Sequence, residues 1–283
     1  MKLTFGIIGG DRRQVYLADL LQRDGFSVRT YGLSQWNAPM DSPLSGAAEA
    51  DVAVLPMPLC REPGILNCAG VQIATVDLFP RLQKPRLVTA GRINLAQYRE
   101  AEAADVDLTD YLLREETAVA NAVPTAEGAI QIALEQLPRT LCGCKCLIIG
   151  FGRIGKLLAN RLDGLGANVT VSARKHEDLV WIRALGWQPL RTDRLRGKLG
   201  DFQAVFNTVP AAILDSGLLA ELPADCLCVE LASTPGFDLC EAKGRGLNAV
   251  QALGLPGKTS PLTAAEAVRD AVYHILEERG DLQ

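Results

Sequence analysis

An apolar run, Cys146 to Ile149, passes directly into Gly150-Phe-Gly-Arg-Ile-Gly155, whose glycines stand at the spacing G-x-G-x-x-G ahead of a segment with helical apolar spacing. The order reads as strand, glycine turn and helix. Ile154, Leu157, Leu158, Leu162 and Leu165 recur at steps of three and four, Gly166 stands where a left-handed cap ends a helix, and Asn168 to Ala173 reads as a second strand. A dinucleotide pyrophosphate needs unhindered backbone N–H groups at the positive end of a helix, where the macrodipole is equivalent to roughly half an elementary charge. Any side chain at Gly152 would block that approach, and Gly155 lets the helix pack close to the strand. Cofactor contacts are therefore predicted at Gly150, Gly152, Arg153, Ile154 and Gly155. The alternative is a βαβ unit whose glycines only make a tight turn.

The end of the second strand discriminates between cofactors. An NAD-preferring unit usually places Asp or Glu about 20 residues beyond the glycines, on the ribose 2′-hydroxyl. This chain reads Val171-Ser-Ala-Arg-Lys-His176, with no carboxylate before Glu177. Ser172 can donate to a phosphate oxygen, while Arg174 and Lys175 can neutralise it. NADP is thus expected over NAD, against the plainer reading of a solvated strand end.

A chain of 283 residues has room for two domains, each with its own core. Lys and Arg total 29 against 33 Asp and Glu, and a net charge of −4 offers no footprint for nucleic acid or an anionic membrane. No apolar run approaches the roughly 18 residues of a membrane span, and the N-terminal run is too short for a secretory signal, so the cytoplasm is expected. Of eight cysteines, Cys142, Cys144 and Cys146 alternate, yet no C-x-x-C pair occurs and the histidines number two, His176 and His274. Buried thiols acting as small hydrophobes are expected, with no metal.

The N-terminal part reads as a second, looser βαβ start: strand Leu3 to Ile8, turn Gly9 to Arg13, helix Gln14 to Asp24 and strand Phe26 to Tyr31. Arg12 and Arg13 at a helix start oppose the local dipole, which suggests that they face an anion. Arg13 foremost, with Arg12 and Arg92, is assigned to a substrate carboxylate. Strands follow at 51–55 and 86–89, around an irregular loop at 57–70. From Thr109 the pattern turns helical, breaks at Val123-Pro124 and restarts with Thr125 as N-cap, giving a hinge helix beside which the cleft should lie. In the cofactor half, strands at 204–210 and 226–236 end in polar turns. Asn207, Thr208, Pro210, Ser233 and Thr234 are placed there, near nicotinamide and substrate. Leu253 to Pro261 reads as a loop, and Thr263-Ala-Ala-Glu266 as a capping box before a final amphipathic helix with His274 off its apolar face.

The expected architecture is α/β, with two doubly wound domains. Residues 1–122 form a substrate domain, onto which the C-terminal helix 263–283 returns, and residues 123–258 form a Rossmann dinucleotide-binding domain joined through the hinge helix.

Gly9-Gly-Asp-Arg-Arg-Gln14, Asn121-Ala-Val-Pro-Thr-Ala-Glu-Gly128, Gly150-Phe-Gly-Arg-Ile-Gly155, Glu230-Leu-Ala-Ser-Thr-Pro-Gly236 and Leu253-Gly-Leu-Pro-Gly257, in this order, closely resemble the A-subunit of bacterial dipicolinate synthase. The resemblance spans nearly the whole chain and departs at Thr234-Pro-Gly-Phe, where a basic residue and a second glycine are expected. It implies NADP-linked oxidation of dihydrodipicolinate, or its hydrated tetrahydro precursor, to dipicolinate in the mother cell of a sporulating bacterium. It also implies a smaller, flavoprotein-like B-subunit of dipicolinate synthase as partner; a homo-oligomer is expected.

Thr125 and Thr234 join the substrate contacts on this reading. Candidates for the base are Glu127, if burial raises its pKa, Asp11 and Lys258. A D-2-hydroxyacid dehydrogenase, the nearest rival enzyme class, needs a His close to the nicotinamide, and neither histidine is placed for it. The rival from another class is a non-catalytic NADP-binding subunit or sensor.

Overall fold

The computed structural model describes residues 3–36 and 42–282. The chain divides into two compact units, Met1–Asn121 with Ser260–Gln283, and Ala122–Thr259.

The first unit runs β1 (Thr4–Ile8), α1 (Arg12–Arg23), β2 (Ser27–Tyr31), α2 (Leu44–Ala48), β3 (Val52–Val54), β4 (Cys60–Glu62) and β5 (Ile65–Leu66). It continues through α3 (Thr75–Leu78), β6 (Leu87–Ala90), α4 (Leu95–Ala103) and β7 (Leu108–Asp110) into α5 (Glu115–Gln136), inside which the division falls. The second unit adds β8 (Lys145–Ile149), α6 (Arg153–Gly164), β9 (Asn168–Ala173), α7 (His176–Ala184), β10 (Gln188–Arg191) and β11 (Ala204–Asn207). Then come α8 (Ser216–Leu219), β12 (Leu227–Glu230), α9 (Leu239–Gly244), β13 (Asn248–Gln251) and α10 (Leu255–Thr259), before α11 (Pro261–Glu278) returns the chain to the first unit.

The strand order β2-β1-β3-β6-β7 is the flavodoxin-like winding, and β10-β9-β8-β11-β12-β13 is the order of a Rossmann sheet. Every neighbouring pair in both sheets is parallel. Such sheets bury both faces, so successive residues serve different cores. Cys146 and Ile148 face the cluster holding α5 and α6, whereas Leu147 and Ile149 face the one holding Leu214 and Leu218. In the first unit Phe5 and Ile7 pack with Leu17 and Leu21 of α1 and with Val268, Val272 and Leu276 of α11. Arg114, just ahead of α5, holds Glu278 of α11 through two hydrogen bonds, at 2.8 and 2.6 Å.

Four local expectations are corrected. Residues 109–113 are not helical throughout: β7 ends at Asp110 and a 3₁₀ turn, Tyr111–Leu113, precedes α5. The helix does not break at Pro124, nor does Thr125 cap a new one; α5 is continuous with Thr125 buried inside it. An interior proline removes one backbone bond, a local cost of about 3 kcal/mol or more. Burial of Ala126, Ala129, Ile130, Ala133 and Leu137 against the Rossmann sheet opposes it. The loop at 253–261 contains α10, and α11 starts at Pro261, so Thr263-Ala-Ala-Glu266 lies within its first turns and Ser260 is the N-cap. The irregular loop at 57–70 contains the antiparallel β4–β5 hairpin.

Leu276 is fully buried in the core that α11 shares with α1 and β1. Leu276→Ala should cost about 2–5 kcal/mol, the usual range for a buried leucine, seen as a lowered melting temperature.

Candidate functional site

Ligands of open parallel sheets sit beyond the carboxyl ends of the strands, where the winding reverses. In the Rossmann sheet that point lies between β8 and β11. Gly150 leaves β8 at φ +105°, a conformation that glycine adopts without strain, and a Cβ there would lie 2.5 Å from Thr208 Oγ1. Thr208 donates from both its N–H and its hydroxyl to the Ile149 carbonyl, each at 2.9 Å, which fastens the start of the β11 turn to the β8 end. A Cβ on Gly155 would lie 2.1 Å from the Gly150 carbonyl oxygen, so α6 sits on the turn as closely as backbone permits.

Gly152 differs from both. Its φ of −83° suits any residue, and a Cβ there would meet nothing within 4 Å. The fold itself makes no demand for glycine at this N-cap, and the open space lies where a bound pyrophosphate would approach. Arg153 is exposed at the first position of α6, and Ile154 packs partly against the core.

At the far end of β9, Arg174 and Lys175 are both exposed, and Lys175 pairs with Glu177 at 3.2 Å. Ser172 does not join them: it is fully buried and its Oγ accepts from Thr192 at 3.3 Å. Its hydroxyl is thus engaged inside the fold and not offered to a surface phosphate. Arg191, which pairs in register with Ala173 and bonds Asp193 and His176, is a further cation here that sequence reasoning missed. The adjacency of β10 to β9 was its only signal.

Asn207 is also corrected. It is fully buried, and its Nδ2 donates to both oxygens of Glu230, at 2.8 and 3.0 Å, and to the Val209 carbonyl at 2.9 Å. Glu230, fully buried as well, further accepts the N–H groups of Ala232 and Gly236, at 2.8 and 2.7 Å. Burial pushes its carboxyl above the usual range, against the downward pull of those hydrogen bonds. This pair ties the β11 turn to the β12 turn. Ser233, Thr234 and Pro210 stand exposed on those turns.

In the first sheet the winding reverses between β1 and β3. Gly9 and Gly10 turn the chain at φ +71° and +108°. Asp11 then caps α1 in a capping box with Gln14. The anion that Arg13 faces is Asp11 itself. Arg13 Nε and Nη2 donate to its two oxygens at 2.9 Å each, Nη2 also bonds the Met57 carbonyl, and the residue is only 6% exposed. Burial alone would raise the Asp11 carboxyl, but the hydrogen bonds and charge of Arg13, with a smaller contribution from Arg61, hold it below the usual range. Arg13 is therefore not presented to a substrate, and both oxygens of Asp11 are taken up by its guanidinium. Arg12 and Arg92 are exposed.

The other candidate bases are also displaced from their expected settings. Glu127 is not buried: it lies exposed inside α5 and pairs with Arg161 at 3.2 Å. Lys258 is exposed in the last turn of α10. The Asn121–Gly128 and Leu253–Gly257 segments meet in the second unit, where a Cβ on Gly128 would come within 3.1 Å of Leu255. His274 is exposed, 3.7 Å from Glu116. Among the described residues no group of three or more His, Cys, Asp or Glu could hold a metal, and no helix is long and apolar enough to cross a membrane.

A flavodoxin-like unit and a Rossmann unit in one chain, with a glycine cradle at the β8 end, define the two-domain α/β architecture of dinucleotide-binding dehydrogenases. The fold is shared with a transhydrogenase from Sinorhizobium meliloti, at a TM-score of 0.71 and 14% identity over 97% of this chain and 94% of that one. Residues 4–112 match the model of the N-terminal domain of the dipicolinate synthase A-subunit. The dipicolinate synthase A-subunit of Bacillus subtilis is 28% identical over 98% of this chain and 96% of its own length. The crystal structure of the A-subunit from Bacillus halodurans superposes at a TM-score of 0.85, with 27% identity and 97% of both chains covered. The resemblance to dipicolinate synthase A-subunits read from the motifs is thus borne out over nearly the whole chain.

Two outcomes are expected. Asp11→Asn leaves a buried guanidinium without its counter-charge and should cost about 3 kcal/mol near neutrality. A carboxyl held below its unfolded value of about 3.9 stabilises the fold above that pH and loses its contribution as pH falls through the folded value, so the difference in melting temperature between wild type and variant should close in acid. Asn207→Ala, which removes the side-chain donor from buried Glu230, should cost about 1–3 kcal/mol in the same measurement.

Proposed function

We propose that the chain is an oxidoreductase that transfers a hydride from dihydrodipicolinate, or its hydrated tetrahydro precursor, to NADP and yields dipicolinate. The full-length likeness to solved dipicolinate synthase structures of the A type carries this reading. The residues fit the cofactor: Gly152 leaves the α6 N-terminus open, and Arg174 and Lys175 stand where a 2′-phosphate would lie, with Arg191 alongside. When bound, the nicotinamide supplies the hydride acceptor. The first turn of α6, Gly152 to Ile154, offers its N–H groups to the pyrophosphate, and Gly150 and Gly155 hold that turn in place.

Loss of a hydride to the nicotinamide and of a proton to a base turns the dihydropyridine into an aromatic pyridine, the hydrated tetrahydro precursor having first lost its hydroxyl and a proton as water, so a base of modest strength suffices. Glu127 and Lys258 are the exposed candidates. Exposed Arg12, Arg92 and Thr234 remain candidates for the carboxylates, whereas Thr125 is buried within α5. The relatives are named as one subunit of a synthase, which supports a second subunit as partner. The NADP-binding-subunit reading differs from the enzyme reading in one respect: cofactor binds, but nothing turns over until the partner is present.

Mixing the chain with NADP and freshly generated dihydrodipicolinate should give absorbance at the reduced-nicotinamide band. Arg174→Asp should weaken NADP at least about tenfold while leaving NAD nearly unchanged, because one bidentate phosphate contact becomes a repulsion. Equal losses for the two cofactors would refute the 2′-phosphate assignment. Tight NADP binding without reduction by the chain alone would move the chemistry to the partner.

A further inference from the structure

The carboxyl edge of the five-stranded sheet carries more positive charge than its own ion pairs consume. Arg12, Arg61 and Arg92 are all exposed there, and among the described residues none of the three makes a side-chain ion pair. The loops that bear them are joined into one rim. The Gly10 N–H donates to the Asn67 carbonyl at 2.7 Å, the Asn67 N–H to Leu59 at 2.8 Å, and the Leu59 N–H to Gly91 at 2.9 Å. Arg12 stands two residues beyond Gly10, Arg61 two beyond Leu59 at the base of the β4–β5 hairpin, and Arg92 directly after Gly91. The nearby anions are Asp11, which Arg13 already holds, Asp110, whose oxygens accept backbone N–H groups, Glu100, which accepts from the Thr75 hydroxyl, and the exposed Glu62.

Arg92 has a second peculiarity. It sits at φ +58°, a left-handed conformation that side chains other than glycine rarely adopt. Such a residue persists only where its surroundings over-determine it, and these cases cluster at ligand sites. Here the determinant is Asp110, 7% exposed at the end of β7, whose carboxylate accepts the N–H groups of Arg92 at 3.2 Å, Ile93 at 2.8 Å and Leu112 at 2.7 Å. The turn is thus held in a conformation that a glycine would adopt more readily, yet the position is occupied by an exposed guanidinium.

We infer that Arg61 and Arg92 form a two-point site for the two carboxylates of a planar cyclic dicarboxylate, with Asp110 as the positioning residue that aims Arg92. Each guanidinium presents a rigid fork that matches one carboxylate, so two on neighbouring loops select a dianion over a monoanion. Arg61 enters as a site residue that no motif marks. The inference deepens the proposed function and rests on it for the identity of the ligand.

Isophthalate, which has the 1,3-dicarboxylate geometry of dipicolinate but cannot be oxidised in this way, is the probe, with benzoate as the monocarboxylate control. Calorimetric titration of the full chain should show isophthalate binding at least about tenfold tighter than benzoate. Arg61→Ala and Arg92→Gly should each abolish that preference, with melting temperature and NADP affinity unchanged. Glycine at 92 keeps the left-handed turn, so its effect isolates the guanidinium. Asp110→Asn should weaken isophthalate in the wild-type background and add nothing in the Arg92→Gly background, a pattern that a merely structural role would not produce. No preference for isophthalate in the wild type, or an undiminished preference in Arg61→Ala and Arg92→Gly, overturns the inference. NADPH formation at an unchanged KM in those variants would sink the site and leave the proposed reaction standing; the expected isophthalate binding without NADP reduction would do the reverse.

Discussion

The structure depends on one close approach, that of α6 to the turn at the end of β8. With no room for even a Cβ at Gly155, the helix is pressed against the Gly150 carbonyl, and its N-terminus can only open over the carboxyl edge of the sheet. The parallel order on either side follows from the same geometry, because a strand, a helix and a parallel strand must each cross over the sheet face. Both sheets are then buried on both sides, and polar chemistry is left to the loops at the strand ends. The first unit reaches the same result with different parts, using Gly9, Gly10 and a capped α1 where the second uses a glycine-rich cradle.

Periodicity and turn chemistry made much of this legible in the sequence. The second strand of the Rossmann unit is found at Asn168–Ala173, and Ile154, Leu157, Leu158 and Leu162 of the α6 face pack as their three- and four-residue steps require, whereas Leu165, at the C-cap, stands exposed. What escaped depends on partners far away along the chain. Arg13 reads as a cation in search of an anion, but its acceptors are Asp11 and a carbonyl 44 residues on, and that second contact has no local signature. Asn207 reads as a polar residue at a strand end and therefore as a ligand contact; only the adjacency of β11 and β12 brings Glu230 to it. Pro124 follows its local rule in the sequence, and the burial of one helix face outweighs that rule.

The motifs that carry the family resemblance are in good part packing devices. Gly9 to Gln14 is a turn, a cap and an internal ion pair, and the Pro124 to Gly128 and Leu253 to Gly257 segments touch through Gly128 and Leu255. Glu230 to Gly236 is a turn wrapped around a buried carboxylate. Such stretches are distinctive because each position answers to several neighbours at once. Residues that would meet a ligand from the solvent side, such as Arg61 and Arg191, answer to few and leave little trace in a pattern.

The backbone passes between the two units twice, once within α5 and once between α10 and α11. Each passage lies beside a proline. Pro124 withholds the N–H that would bond the Ala120 carbonyl, two residues past the first crossing, and Pro261 follows Ser260 at the second, where α11 begins without a side-chain cap. Each connection therefore carries one backbone hydrogen bond fewer than an uninterrupted helix would supply, whereas the parallel sheets on either side are bonded strand to strand throughout.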